Sequence, residues 1–198
     1  QRMVELQLRG RDITHPGVLQ AMRSVLRHVF LPAELQHRAY EDRPIPIFHN
    51  QTMSQPYVVA VMSQIGMQTQ AKRALDVGTG SGYQAAILGE LVDEVYSVEI
   101  VEDLARSAQV KLAAQGYHNV HVRCSDGYHG WPEQGPFDVI IVAAAPGHIP
   151  QPLVDQLAPG GKLIIPVGHI HQDLMVITRL EDGRTENSQI FPVRFVPM

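Results

Sequence analysis

The sequence predicts a doubly wound α/β fold, in which a mostly parallel sheet carries helices on both faces. Three observations predict it. From Arg73 onward, short apolar runs alternate with helical patterns. The run from Val139 to Val142 is continuously apolar, as expected of a strand covered on both faces. A strand ending at Val77 leads directly into glycines at positions 78, 80 and 82 and then into a helix, which is the first crossover of a nucleotide-binding sheet.

Length and composition restrict the kind of protein. A chain of 198 residues can form one well-buried domain. The net charge of −4 provides no sign of the basic face that nucleic-acid binders usually carry. Cys124 is the only cysteine, so no intramolecular disulfide can form. No apolar run approaches the ~20 residues of a membrane span, and the N-terminus lacks a signal peptide's apolar region. We therefore expect a cytoplasmic monomer that binds neither nucleic acid nor membrane.

Residues 1–71 are predicted to form a helical, proline-rich segment that packs on the core of residues 72–198, so that the whole chain forms one compact domain. Thr14 is expected to cap a helix that begins near Pro16. The apolar stripe of that helix comprises Val18, Leu19, Met22, Val25, Leu26 and Val29. A second helix is expected after Ser54, its N-cap, with Pro56 in the first turn.

In the core, predicted strands and helices alternate in a regular order. Strands are expected over residues 73–77, 94–99, 119–124, 137–144, 161–167 and 173–180, and helices over about 82–91, 101–115 and 150–157. The last stretch, 187–198, alternates apolar and polar residues and contains Pro192, which indicates an antiparallel or edge strand. Cys124 is expected to be a buried strand residue rather than a nucleophile.

The glycine turn, Gly78-Thr79-Gly80-Ser81-Gly82, indicates a ligand close to the backbone. Glycine permits positive φ and allows such an approach. The dinucleotide fingerprint has glycine at its first, third and sixth positions, whereas here the sixth position is Tyr83. Asp76 precedes the turn and would repel a pyrophosphate, but it would suit an amino group or a sulfonium.

Two further acids follow the next two predicted strands. Glu99 lies ~20 residues beyond the glycines, where an acid binds both ribose hydroxyls. Asp126 ends the third strand and could accept a hydrogen bond from an adenine amino group. With Asp76, these acids fit S-adenosylmethionine, which has an amino-acid end, a ribose and an adenine but no phosphate. Alternatively, Asp76 caps the turn, Glu99 opens a helix and Asp126 forms a turn.

Several motifs together resemble those of the protein-L-isoaspartate O-methyltransferases. They read "QTMSQPYVVA", "LDVGTGSGYQAAIL", "PFDVIIVAAAP", "LAPGGKLIIPVG" and "VRFVPM", and the resemblance extends from about Val18 to the C-terminus. It implies the class I S-adenosylmethionine-dependent methyltransferase fold, Rossmann-like and with an N-terminal helical extension. It also implies that S-adenosyl-L-methionine is the methyl donor, that S-adenosyl-L-homocysteine is the product, and that the acceptors are isoaspartyl carboxylates in damaged proteins and peptides.

The resemblance implies the site residues as well, with Ser54 as the catalytic residue and no metal ligand. Expected to bind the cofactor are Gln51, Thr52, Met53, Asp76, Gly78, Thr79, Gly80, Ser81, Gly82, Glu99, Ile100, Asp126, Gly127 and Gln172. Expected to bind the acceptor are Thr52, Met53, Ser54, Val193, Phe195 and Val196. Chemistry assigns Ser54 to orientation, because a carboxylate with a pKa near ~4 is already ionised at neutral pH and needs no general base.

One departure leaves the acceptor open. The family usually has a glycine shortly before its "QT", and here Phe48 stands in that place. The alternatives are a methyltransferase of the same fold with another acceptor, or a non-catalytic module that binds S-adenosylmethionine. Tyr83 and Asp76 make a nicotinamide-dependent oxidoreductase the least favoured reading. His169 and His171 could indicate a metal, but we expect them in a loop over the cofactor.

Overall fold

The computed structural model describes residues 2–68 and 70–198, which form a seven-stranded sheet with helices on both faces. In chain order the elements are α1 (Pro16–Ser24), β1 (Ile45–Pro46), β2 (Thr52–Met53), α2 (Pro56–Gly66), β3 (Arg73–Val77), α3 (Tyr83–Gly89), β4 (Glu94–Glu99), α4 (Glu102–Ala114), β5 (Val120–Cys124), β6 (Phe137–Val142), α5 (Gln151–Asp155), β7 (Leu157–Val167), β8 (Gln172–Arg179) and β9 (Thr185–Val193). A π-helical segment, Val4–Arg9, precedes α1, and 3₁₀ turns span Arg27–Phe30 and Ala33–Arg38.

The large sheet has the strand order β5-β4-β3-β6-β7-β8-β9. Strands β3 to β7 pair in parallel, whereas β7-β8 and β8-β9 pair antiparallel. The chain moves outward from β3 to β4 and β5 and then returns to the other side of β3 with β6. The order therefore reverses beside β3, and the carboxyl ends of β3 and β6 form the switch point where such sheets bind ligands. This topology confirms the predicted doubly wound fold.

The predicted strands agree with the observed ones to within one residue at each end, except that β6 ends two residues earlier, at Val142, and β7 begins earlier, at Leu157. The antiparallel edge strand is confirmed as β9, in which Pro192 pairs opposite Asp173. The last residues lie outside β9, and Pro197 forms an isolated bridge with Ala145. The prediction for Cys124 was wrong in one respect. It belongs to β5 but is exposed, because β5 is an edge strand.

The first helix is shorter than its apolar stripe suggests. It ends at Ser24, because Val25 adopts an extended backbone with φ −72° and ψ 114°. Leu26 consequently lies outside the helix and is 48% exposed. The predicted cap was also wrong. His15, extended directly before Pro16, accepts a hydrogen bond from the Val18 N–H, while the Thr14 N–H donates to Gln64.

The second helix begins as predicted with Pro56 in its first turn, but the predicted cap was wrong here too. Gln55 occupies the N-cap position, and its side chain makes no capping hydrogen bond. The extended backbone of Gln55, at φ −54° and ψ 139°, places Ser54 one residue outside the cap. Ser54 therefore belongs to the segment between β2 and α2.

The core consists of two apolar layers, one on each face of the sheet. Alternate residues of β3 contribute to opposite layers, with Ala74 in one and Leu75 in the other. In the Ala74 layer, Val4 and Ile13 of the N-terminal segment belong to the same buried cluster as Val139 of β6. The N-terminal segment and this face of the sheet therefore share one buried core. Among residues 2–68 and 70–198, no helix combines the length and apolar character needed to cross a membrane.

Candidate active site

A cavity opens beyond the carboxyl ends of β3, β4, β5 and β6, at the switch point of the sheet. The residues that line it come from the segment before α2, the glycine turn, the ends of β4 to β6 and the C-terminus. They are Gln51, Thr52, Met53, Ser54, Val59, Val77, Gly78, Thr79, Gly80, Ser81, Tyr83, Gln84, Val98, Glu99, Ile100, Val101, Asp126, Gly127, Ala143, Ala144, Val196, Pro197 and Met198. Most of the predicted cofactor residues therefore line one cavity.

The glycine turn owes its shape to positive backbone angles. Gly78, Gly80 and Gly82 have φ values of 92°, 52° and 91°, a region that residues with a Cβ rarely adopt. The N–H groups of Gly78 and Thr79 both donate to the carbonyl oxygen of Val98, at 2.9 and 3.2 Å. These bonds attach the turn to the end of β4, so the two segments form one continuous wall.

Glu99, at the end of β4, braces the turn with its side chain. Its Oε2 accepts a hydrogen bond from the Gly80 N–H at 2.8 Å, and its Oε1 accepts one from the Val101 N–H at 2.9 Å. The residue is only 6% exposed and lines the cavity. Because each carboxylate oxygen can accept a second hydrogen bond, Glu99 retains the capacity to bind two hydroxyl groups of a ligand.

Asp126 lies at the mouth of the cavity, just beyond β5. Its Oδ1 accepts a hydrogen bond from the Tyr128 N–H at 2.9 Å, which holds the side chain in place. Oδ2 takes no part in that bond, so it can accept a hydrogen bond from an amino group of a ligand.

The charges on the wall select the chemical class of ligand. Within the part of the chain that the structure describes, the lining contains the carboxylates of Glu99 and Asp126 but no lysine, arginine or histidine. A pyrophosphate would meet two negative charges and no cation. A nucleoside that carries a positive charge and no phosphate fits this wall, and S-adenosylmethionine has that character.

The predicted role of Asp76 at the ligand does not match its position, because its side chain is fully buried beneath the turn. Ser97 Oγ donates to Asp76 Oδ2 at 2.7 Å and is 2.5 Å from Thr79 Oγ1. Oδ1 is buried without a hydrogen-bond partner among the described residues. Burial raises the pKa of Asp76 to about 7, opposed by the Ser97 hydrogen bond and assisted by the charge of Glu99. Asp76 thus supports the glycine turn from below.

Gly82 also lies behind the cavity wall rather than on it. A Cβ added there would lie 3.4 Å from the Cβ of Ala108, so Gly82 permits the close approach of α4.

Gln172 does not reach the cavity either, because Phe195 occupies both ends of its amide. Gln172 Nε2 donates to the Phe195 carbonyl at 3.1 Å, and the Phe195 N–H donates to Gln172 Oε1 at 2.6 Å. Two backbone bonds continue this attachment, from the Ala145 N–H to the Val196 carbonyl and from the Met198 N–H to the Ala145 carbonyl. Gln172 therefore holds the C-terminal segment that forms part of the wall.

A second cavity adjoins the first, on the other side of the segment before α2. It is lined by Arg11, Pro44, Thr52, Ser54, Gln55, Tyr57, Val58, Phe191, Pro192, Val193, Arg194 and Phe195. Thr52 and Ser54 line both cavities and form the partition between them. The predicted acceptor residues are thus divided. Val193 and Phe195 line the second cavity, whereas Met53 and Val196 line the first.

Sequence reasoning missed several lining residues. Ala143 and Ala144 directly follow β6, and the rule that ligands bind at a switch point could have identified them. Pro197 and Met198 become lining residues only because the C-terminus folds back onto Ala145. Val59 carried no signal, because it reads as an ordinary apolar residue of α2.

The remaining predicted features lie apart from both cavities. His169 and His171 are exposed in the loop between β7 and β8, so the loop was correctly predicted, but neither residue lines the cofactor cavity. Phe48 is 61% exposed in the loop between β1 and β2, where His49 and Asn50 adopt positive φ. Phe48 lines neither cavity.

The comparisons with known proteins agree on one family. The sequence model of the family "Protein-L-isoaspartate(D-aspartate) O-methyltransferase (PCMT)" matches residues 1–198. "Protein-L-isoaspartate O-methyltransferase 2" of Syntrophobacter fumaroxidans is 54% identical over 96% of this chain and 77% of its own length. The Protein-L-isoaspartate O-methyltransferases of Opitutus terrae and Gloeobacter violaceus are 51% and 52% identical, over 100% and 99% of this chain and 85% and 96% of their own lengths.

Solved structures give the same result. A protein-L-isoaspartate O-methyltransferase superposes with a TM-score of 0.90 at 25% identity, covering 100% of this chain and 65% of that chain. A putative protein-L-isoaspartate O-methyltransferase from Plasmodium falciparum, in complex with S-adenosyl-L-homocysteine, superposes with a TM-score of 0.87 at 28% identity. That match covers 99% of this chain and 96% of the other.

Proposed function

This chain belongs to the protein-L-isoaspartate(D-aspartate) O-methyltransferase family, and from that membership we infer how its residues perform the reaction. The protein is an enzyme that methylates the carboxylate of L-isoaspartyl residues in damaged proteins and peptides. S-adenosylmethionine supplies the methyl group, bonded to a sulfonium that makes it a good electrophile. The observation that best supports the assignment of residues is the position of Thr52 and Ser54, which lie between a cofactor cavity and a second cavity and line both.

The first cavity holds the cofactor in this proposal. Glu99 binds the ribose hydroxyls, since its two oxygens are fixed by backbone N–H groups and still have lone pairs to offer. Asp126 accepts a hydrogen bond from the adenine amino group. The backbone of the glycine turn lies against the amino-acid end, because its glycines allow a close approach.

The second cavity holds the acceptor peptide. One of its walls is the end of β9 and the residues that follow, from Phe191 to Phe195. Since β9 is an edge strand, a peptide can lie along it by strand addition, with backbone hydrogen bonds supplying affinity independently of sequence. The isoaspartyl side chain then reaches the partition, where Thr52 and Ser54 face both cavities.

Ser54 orients the acceptor and does not attack it. The isoaspartyl carboxylate is already ionised at neutral pH, so the chain must only remove its water and aim one oxygen. Productive geometry places reacting atoms about 3–3.5 Å apart. In this role the Ser54 hydroxyl donates a hydrogen bond to the carboxylate, and the apolar side chains of Met53 and Val196 exclude water beside it.

The product accounts for protein repair. Methoxide leaves the carbonyl carbon of an ester far more readily than an oxide leaves an ionised carboxylate. The backbone nitrogen that follows can therefore attack that carbon, and methoxide departs as methanol with the proton of the nitrogen, which leaves a succinimide. Hydrolysis of the succinimide returns part of the chain to normal aspartate and part to isoaspartate, which can be methylated again.

The cellular setting remains part of the proposal. We propose a cytoplasmic monomer that binds neither nucleic acid nor membrane. The single cysteine supports a reducing compartment, and the net charge of −4 argues against nucleic-acid binding. The position of Phe48, outside both cavities, supports the isoaspartyl acceptor over an alternative one.

Two peptides that differ only in one linkage test the function. Labelled S-adenosylmethionine is incubated with an isoaspartyl peptide and with its aspartyl twin, and base-labile label in the peptide is counted. We expect labelling of the isoaspartyl peptide alone. If neither peptide is labelled although the protein binds S-adenosylhomocysteine, the acceptor assignment is wrong and the cofactor assignment stands.

Replacing Ser54 by alanine tests its orienting role. We expect kcat/KM for the isoaspartyl peptide to fall about tenfold, the lower end for a hydrogen bond to a charged group, because water can replace the hydroxyl. The affinity for S-adenosylhomocysteine, measured by calorimetry, should stay within twofold. Ser24→Ala, at the exposed end of α1, is the control and should leave both values unchanged. An unchanged kcat/KM in Ser54→Ala would contradict the orienting role.

A further inference from the structure

Arg27 lies fully buried beneath the segment that carries Ser54. Its Nε donates to the carbonyl oxygen of Ala39 at 2.7 Å, and its Nη2 donates to the carbonyl oxygen of Ser54, also at 2.7 Å. The guanidinium therefore joins the 3₁₀ turn at Arg27–Phe30 to two segments that are distant in sequence. One of them is the partition between the two cavities.

The charge of Arg27 has no carboxylate partner among the residues that the structure describes. No ion pair of the described residues includes it, and the side chains that act on its pKa are the phenols of Tyr83 and Tyr40 rather than carboxylates. Burial lowers the pKa of Arg27, yet a guanidinium stays protonated in proteins. Burying an unpaired charge is costly, so an apolar side chain would serve better if this site had only to be filled.

The guanidinium also contacts the wall of the cofactor cavity. Its carbon lies 4.7 Å from the centre of the Tyr83 ring, a cation–π contact that partly offsets the cost of burial. Tyr83 lines the first cavity. Arg27 Nη1 has no hydrogen-bond partner in residues 2–68 and 70–198, so the positive charge is only partly satisfied. Arg27 thus links Tyr83, which lines the cofactor cavity, to the backbone of Ser54.

We propose that Arg27 is a positioning residue, which holds the backbone of Ser54 in register with the cofactor cavity and supplies the positive charge that attracts the acceptor carboxylate. This rests on the proposed function, because it assigns the acceptor to the partition at Thr52 and Ser54. The charge acts selectively. It favours an anionic acceptor, whereas S-adenosylmethionine carries a net positive charge that Arg27 does not attract. The acceptor kinetics therefore depend on Arg27 more strongly than cofactor affinity does.

Two substitutions separate the charge from the geometry. Arg27→Lys keeps a positive charge but cannot reproduce the forked donation to two carbonyl groups. We expect its KM for the isoaspartyl peptide to stay within threefold and its kcat to fall at least fivefold. Arg27→Met removes both features, so we expect KM to rise at least tenfold and kcat to fall as well. The dissociation constant of S-adenosylhomocysteine should remain within threefold in both variants.

Arg73 provides a matched control. Its Nη1 donates to the Gln134 carbonyl at 2.9 Å and its guanidinium lies over the Tyr96 ring at 5.7 Å. Arg73 is the first residue of β3 and therefore lies at the amino ends of the strands, whereas the site lies at their carboxyl ends. Arg73→Met should leave kcat and KM within twofold of the wild-type values. Thermal unfolding of all variants shows how much of each kinetic change follows from lost stability.

Hydrogen exchange supplies a readout that does not require activity. In Arg27→Lys, amides of residues 51–55 should exchange at least tenfold faster than in the wild type, while those of β3 should not change.

The proposal is overturned if exchange in residues 51–55 is unchanged. It is also overturned if folded Arg27→Met retains wild-type kcat and KM, or if peptide kinetics and cofactor affinity fall in parallel. If Arg27→Met does not fold, Arg27→Lys decides alone. If the wild type methylates neither twin peptide, the proposed function fails, and the exchange data still test the positioning role.

Discussion

Glu99→Gln is expected to weaken the binding of S-adenosylhomocysteine at least a hundredfold. The carboxylate of Glu99 is placed to accept two ribose hydrogen bonds, and hydrogen bonds to charged groups contribute about 1.5–3 kcal/mol each. In the wild type, the N–H groups of Gly80 and Val101 donate to the two carboxylate oxygens. The substitution replaces one of these oxygens by an amide N–H₂ group, which cannot accept the hydrogen bond. Calorimetric titration of wild type and variant measures the loss directly.

The neighbouring acid Glu102 provides the control for this experiment. It lies three residues further on, in the first turn of α4, and its exposed side chain pairs with Arg106 rather than lining the cavity. Glu102→Gln removes the same charge and should change the affinity less than twofold. Wild-type affinity in Glu99→Gln would show that the ribose is held elsewhere and would refute the assignment of Glu99.

Asp76→Asn is expected to change how stability depends on pH. Burial raises the pKa of Asp76 from 3.8 to about 7, so this carboxyl binds its proton more tightly in the folded chain than in the unfolded one. Its contribution to stability is therefore complete below about pH 4 and is lost as the pH rises to about 7. A shift of about 3 pKa units corresponds to about 4 kcal/mol. Asparagine cannot ionise, so the variant avoids this loss.

Urea unfolding at several pH values between 4 and 8 measures the effect. The free energy of unfolding of Asp76→Asn, relative to wild type, should increase by several kcal/mol across this range. Any fixed cost of the new amide beneath the turn adds equally at every pH and does not alter the slope. Asp93→Asn, at an exposed position, is the control and should show a flat difference. A flat difference for Asp76→Asn as well would mean that burial does not govern its ionisation.

The order of strands and the position of the ligand site could be predicted from local patterns. A continuous apolar run such as Val139 to Val142 indicates a strand covered on both faces, and β6 is such a strand. Glycines between a strand and a helix indicate a turn with positive φ, which Gly78, Gly80 and Gly82 adopt. These features depend on residues that are close in sequence, so they can be recognised without knowledge of the tertiary contacts.

The ends of helices and their capping residues could not be predicted from the same patterns. The stripe that includes Leu26 continues past the helix, but Val25 turns the backbone into an extended conformation after Ser24. Likewise, Ser54 has the residue type of a cap, yet Gln55 occupies that position. In both cases contacts with other segments outweigh a local preference of about 1 kcal/mol or less.

By itself, the sequence determined the fold class, the glycine turn, and the acids at the carboxyl ends of its first three core strands. Only the tertiary structure decided what each polar side chain does there. Asp76 and Glu99 both end predicted strands, but one is buried below the turn and the other faces the cavity. Gln172 is bound to Phe195, and Arg27 is bound to Ser54. The physical reason is that burial and hydrogen-bond partners come from segments distant in sequence, which meet only when the sheet has formed.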